Sequence, residues 1–118
     1  MGKKSRTSLL KEKKSSVFKE NCGKHLTLNV YDIPYNLKIV SIDHFRERVS
    51  IEKFIPEAKC GFARDHGRSI LVFDIRNSGK VSDVKSVTVV VVNAYRNNIV
   101  MPLGFIVESI EDFFQILN

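Results

Sequence analysis

From His25 onward, apolar and polar residues alternate with a period of two. Leu26, Leu28 and Val30 fall on one side of the chain, and Thr27 and Asn29 on the other, as in a half-buried strand. Leu37 and Ile39 continue the pattern. It slips by one position at Val40 before resuming at Ile42, as a β-bulge would make it do. Pro34-Tyr35-Asn36 and residues 43–47 read as turns. Val49 and Ile51 restart the alternation, and Pro56 ends it. Residues 56–67 read as the longest loop. A strand is predicted over 69–75, followed by a hairpin turn at 76–80, where Gly79 can take a positive φ. Residues 84–95 form a long β-branched run. Val89 to Val92 are apolar at every position, so both faces of that strand must be covered and it belongs in the middle of a sheet. Asn97-Asn98 marks a turn, and 99–107 is the last predicted strand, with Pro102 pointing to an edge or a bulge.

The period changes at both ends of the chain. Ile110, Phe113, Phe114 and Leu117 lie at i, i+3, i+4 and i+7, which predicts a helix over 109–117. Ser109 is placed to cap it, and Glu111 and Asp112 put carboxylates in the first turn, where the helix dipole favours them. Near the start, Ser8 and Gly23 can bound a second helix over 8–21, whose apolar residues are Leu9, Leu10, Val17 and Phe18. Six short strands joined by hairpin-length turns imply an all-β fold. The expectation is a small six-stranded antiparallel β-barrel over 25–118 with a C-terminal helix, preceded by a basic N-terminal arm over 1–24.

Composition narrows this picture. A chain of 118 residues with 43% hydrophobic content suits one domain with a real core. Its net charge is +6. Residues 1–24 hold eight Lys or Arg against two Glu, whereas 25–118 hold eleven of each sign, so the whole excess sits in the arm. A neutral body is no platform for a nucleic acid backbone. The arm could reach phosphates, an anionic membrane or an acidic partner, or could serve only to keep the chain soluble. No apolar run nears the roughly 20 residues of a membrane span. Leu9-Leu10 is followed at once by Lys11-Glu12-Lys13-Lys14, so no apolar core of a signal peptide is present. Arg6 stands where a myristoylation signal after Gly2 would carry Ser or Thr. A cytoplasmic, reducing location is therefore expected, with Cys22 and Cys60 as free thiols.

Motifs for chemistry are sparse. There is no G-x-S-x-G, no phosphate-binding loop and no H-E-x-x-H, and His25, His44 and His66 lie apart without a nucleophile at a recognisable spacing. The chain reads as a non-enzyme without a cofactor. Cys22-x-x-His25 and Cys60-x5-His66 offer four possible metal ligands, but structural zinc sites draw on tighter pairs, and two thiols with two surface histidines is the reading taken. Arg64-x-x-x-Arg68 and the run Asp74 to Gly79 look like fragments of nucleotide-binding signatures. Tyr31, Tyr35, Phe45 and Phe62 could stack on bases beside Arg46, Arg48 and Arg64, as in a small-barrel RNA- or DNA-binding protein.

In the order of these elements, residues 25–118 resemble a PilZ domain. A strand from Leu26 is followed by a hairpin that leaves from Val40 and returns through Val49 and Ile51 to Phe54-Ile55-Pro56-Glu57. A strand pair over 69–95 comes next, and then a closing Leu103-Gly104-Phe105-Ile106-Val107 before an acidic-capped helix. The resemblance implies a bacterial signalling module that binds cyclic di-GMP or regulates a protein partner. The family grips its ligand with R-x-x-x-R before the first strand and D-x-S-x-x-G after the second. Here the first place holds Lys19 and Lys24, and the second reads Ser41-Ile42-Asp43-His44-Phe45-Arg46, which departs at all three motif residues, Ser41, Asp43 and Arg46. Lysine lacks the planar fork of arginine, so a protein partner is the favoured reading. On this resemblance the ligand-binding candidates are Lys19, Lys24, Asp43, Arg46 and Arg48. The Sm-like barrel of RNA-binding proteins and the flagellar-brake N-terminal domain are rival resemblances.

Overall fold

A computed structural model describes residues 23–76 and 84–117. Within them, seven strands and one helix follow along the chain: β1 (Lys24–Val30), β2 (Ile33–Val49), β3 (Glu52–Ile55), β4 (Cys60–Asp65), β5 (Arg68–Asp74), β6 (Val87–Arg96), β7 (Ile99–Val107) and α1 (Ile110–Ile116). They form one sheet in the order β1-β2-β6-β7-β5-β4-β3. Every neighbouring pair is antiparallel except β5 and β7, which run parallel. The expected six-stranded antiparallel barrel is therefore corrected to a seven-stranded mixed sheet that is not closed. The predicted N-terminal helix, and the turn residues 77–80, lie outside the described residues.

The extra strand is β4, inside the stretch read as a loop. Its burial alternates strictly, but the inward residues are Gly61, Ala63 and Asp65, so the strand carries no bulky apolar signal. Pro34-Tyr35-Asn36 and 43–47, read as turns, both run within the 17-residue β2. The turn before β2 is Tyr31-Asp32, with φ of 52° and 65°. His66-Gly67 (51° and 80°) and Asn97-Asn98 (55° and 66°) close the β4–β5 and β6–β7 hairpins in the same way. Two consecutive positive φ values suit a two-residue hairpin whose twist matches that of its strands. Asn, Asp and Gly are the usual occupants, so Tyr31 and His66 are uncommon there.

The slip at Val40 is a bulge: the β2–β6 register shifts between Ile39 and Ser41, and twice more towards Val49. These shifts bend β2 strongly. Their consequence is visible in the next connection. β2 is second from one edge of the sheet and β3 is the opposite edge, yet only Ser50 and Ile51 separate them. Three backbone steps reach at most about 11 Å. The sheet must therefore curl until its β3–β4 edge returns to the end of β2.

Two cores result, one on each side of β6 and β7. Val90, Val92, Leu103 and Phe105 face the first, with Ile39, Leu26 and, from the helix, Phe113 and Leu117. Val89, Val91 and Ile106 face the second, inside the curl, with Ile51, Ile70 and Val72. This is why Val89 to Val92 are apolar at every position. Ser109 caps α1 as expected, its Oγ accepting from the Asp112 amide at 3.1 Å. Pro102 lies where β7 has not yet met β5, whose ladder begins at Leu103, so its missing N–H costs no bond on that side.

Candidate functional site

Where the curl brings β4 back to β2, no backbone ladder joins them, and polar side chains meet instead. Asp65 is the last residue of β4 and points inward in line with Gly61 and Ala63, only 1% exposed. It is the one buried charged residue among the described residues. From β2, His44 Nε2 lies 2.8 Å from Asp65 Oδ1, and Arg46 Nη1 lies 3.4 Å from the same oxygen. Arg46 Nη1 also donates to the Arg64 carbonyl at 2.5 Å. From the β4–β5 turn, the exposed His66 sets Nε2 4.0 Å from Asp65 Oδ1. The His44 and His66 rings stand edge to face with centroids 5.1 Å apart. Asp43 Oδ2 sits 3.2 Å from His44 Nδ1, so that imidazole has a carboxylate at each nitrogen. A bulge between Ile42 and His44 presents consecutive residues to one place.

Burial pushes the Asp65 carboxyl upward, but the His44 hydrogen bond and the charges of His44, His66 and Arg46 outweigh it and hold it below the ordinary carboxylate value. The folded state thus takes up the proton less readily than the unfolded chain. The resulting stabilisation is present above the ordinary carboxylate range and is lost as pH falls through the depressed folded value. Urea unfolding of the wild type and of Asp65→Asn is expected to show a wild-type advantage at pH 7 that shrinks at pH 3. An advantage independent of pH would contradict this account of Asp65.

The five ligand-binding candidates do not form one cluster. Asp43 and Arg46 join the seam through His44 and Asp65. Arg48 is exposed in the last bulge of β2, at φ 58°. Lys24 begins β1 opposite Ile39, seven residues back along β2 from Arg46, or roughly 20 Å at strand spacing. Lys19 lies outside the described residues. Arg64 and Arg68 cannot converge, because Arg68 pairs with Asp65, and Arg64 is directed to the other face of the hairpin. Asp74 is held by Arg76, whose Nε and Nη2 each donate to it at 2.9 Å. Cys60 is a free thiol at the far end of β4 from Asp65, pushed up by burial and so kept protonated. Sequence reasoning missed Asp65 altogether. Its only trace was a period-two relation to Gly61 and Ala63.

A second surface lies at the opposite end of β2. The face of the first core continues past its buried part into Ile33, Tyr35, Ile99 and Met101. Met101 pairs with the core residue Ala94, and Ile99 with Arg96. Arg96 stacks over the Tyr35 ring at 4.9 Å. Ile33, Ile99 and Met101 are 53%, 56% and 45% exposed, far more than an aliphatic side chain needs for folding. Tyr31, 58% exposed, stands at the tip of the β1–β2 hairpin. No helix among the described residues is long and apolar enough to cross a membrane. No protein-family model, no curated protein and no solved structure matches this chain.

Proposed function

We propose that this chain is a non-enzymatic regulatory module that works by docking a protein partner, as the PilZ resemblance without its arginine motif suggests. The observation that carries the reading is the apolar surface of Ile33, Tyr35, Ile99 and Met101 at the β1–β2 and β6–β7 hairpins. Exposed aliphatic side chains on one sheet face, beside the half-buried Tyr35 ring, suit an interaction surface better than a solvated one. Its charge suggests the partner's chemistry. The β1–β2 side carries the exposed Asp32 beside Ile33, but the β6–β7 side, over residues 87–107, contains Arg96 and no Asp or Glu. An apolar protein surface rimmed by carboxylates complements it. The dispersal of Lys24, Asp43, Arg46 and Arg48 favours this reading over a cyclic di-GMP receptor.

The test compares the tagged wild-type chain with Ile99→Asp, Met101→Asp in the cells that make it. The wild type is expected to retain a partner that dissociates as salt rises, and the variant to lose it at an unchanged melting temperature. Retention by the variant contradicts the surface. Calorimetric titration with cyclic di-GMP is expected to give no saturable heat. Micromolar binding abolished by truncation before His25 would return the reading to a small-ligand receptor.

A further inference from the structure

We propose that His44, Asp65 and His66 bind one divalent first-row transition metal ion, of which Zn2+ is the natural probe. Each offers one ligating atom, and all three atoms lie within 4.8 Å of one another. Two imidazoles and a carboxylate form a nitrogen–oxygen donor set that suits zinc and its neighbours and leaves a fourth position open. Bonds of about 2.0–2.1 Å in a tetrahedron set ligand atoms about 3.3 Å apart. The His44–Asp65 separation of 2.8 Å must open slightly, and the 4.0 Å from His66 to Asp65 must close. His66 can supply that movement, because its side chain is 74% exposed on a two-residue turn.

Two further observations point to a cation there. Asp65 Oδ2 is buried and has no hydrogen-bond partner among the described residues. A buried carboxylate oxygen without a donor is costly, and an ion held by both Asp65 oxygens would satisfy it. The second is the position of His44 between Asp43 and Asp65, at 3.2 Å and 2.8 Å. A neutral imidazole has one N–H, so it can satisfy only one of two carboxylates. Asp43 is half-exposed and can be hydrated, whereas the buried Asp65 cannot, so a cation is called for at the Asp65 end of the row. With the proton on Nδ1 facing Asp43, Nε2 presents its lone pair beside Asp65, the carboxylate–histidine–metal arrangement that orients ligands in metal sites. Arg46 is a built-in competitor. Its guanidinium reaches Asp65 Oδ1 at 3.4 Å, and its bond to the Arg64 carbonyl keeps it nearby when it yields the carboxylate.

The experiment is calorimetric titration of Zn2+ into the full chain and four variants, with melting temperatures measured without metal. His66→Ala removes a mostly exposed ring that rests against His44 at a positive-φ position, so a small fall in the metal-free melting temperature is expected, and binding is expected to weaken at least about tenfold. Asp43→Asn is expected to weaken it about tenfold by releasing the His44 ring. Arg46→Gln is expected to tighten it, because it removes a positive charge beside the ion. Cys22→Ser is expected to leave affinity unchanged. Absence of saturable binding, or affinity unaffected by His66→Ala, overturns the proposal. So does affinity lost in Cys22→Ser alone, which would place the ion on the thiol.

Discussion

Phe105→Ala is expected to remove about 4 kcal/mol of stability, enough to leave a domain of ordinary stability close to unfolding. Phe105 is fully buried on β7, opposite Val90 on β6 and Phe73 on β5. Its ring stacks on Phe73 at 6.3 Å and on Phe113 of α1 at 6.1 Å. Phe113 meets Phe114 at 6.1 Å, and Phe114 meets Phe45 of β2 at 6.4 Å. This row of five rings is what fastens the helix to the sheet. Truncation removes the ring that links Phe73 to Phe113, where flanking strands on both sides prevent collapse into the space. Both the transfer and the cavity contributions are then felt in full. The expected readout is a urea midpoint shifted far down, with a fall in melting temperature of about 20 °C. A loss below about 1 kcal/mol would mean that Phe105 does not occupy the shared centre of β5, β7 and α1.

Gly61→Val is expected to cost about 3 kcal/mol by the opposite route, overpacking. A Cβ at Gly61 would stand 2.6 Å from Ile51 Cγ2, 2.8 Å from the Glu52 carbonyl oxygen and 3.0 Å from Phe54 Cα. Two of these are backbone atoms, so no rotamer change relieves the clash. At Gly104 the closest atoms are methyls of Val72 and Val89, both at 2.9 Å, and side chains can adjust further than backbone can. Gly61 therefore permits β3 to lie close on β4, and that contact returns the sheet edge to β2. Valine should push β3 outward and loosen the His44–Asp65 seam as well as lower stability. Urea unfolding measures the first effect, and the shift of the His44 ring resonances measures the second. A variant as stable as the wild type would contradict the close approach of β3.

These two positions also show what could be read before the fold was known. The run from Val89 to Val92 announced itself, because apolar residues at unbroken positions can only be central, whereas Phe105 lay in a strand that Pro102 had pointed to an edge or a bulge. The slip at Val40 revealed a bulge, and Ser109 with Ile110, Phe113 and Leu117 revealed the helix, since both signals are local. β4 stayed hidden because its inward positions are Gly61, Ala63 and Asp65. There the close approach of β3 excludes large side chains and so erases the usual pattern. Polar runs at Pro34-Tyr35-Asn36 and 43–47 were read as turns, though both lie on β2. The true turn, Tyr31-Asp32, lacks the glycine or asparagine that would have marked it.

The seam was less legible still. His44 meets the adjacent pair Asp65-His66 only because three register shifts bend β2 and two residues carry it to the far edge of the sheet. No spacing in the chain encodes that meeting. The exposed hairpin surface had a fainter but present signal: Ile99, Val100 and Met101 are three consecutive apolar residues, more than one buried strand face can use.

The most direct test of the proposed function places a photo-activated cross-linking residue at Ile99, and separately at the exposed Phe62 on β4, in the chain produced in its own cells. The account predicts one discrete protein adduct from position 99, none from position 62, and loss of the first when Met101→Asp is added. Equal labelling from both positions, or an adduct that survives Met101→Asp, would contradict docking at the β6–β7 hairpin.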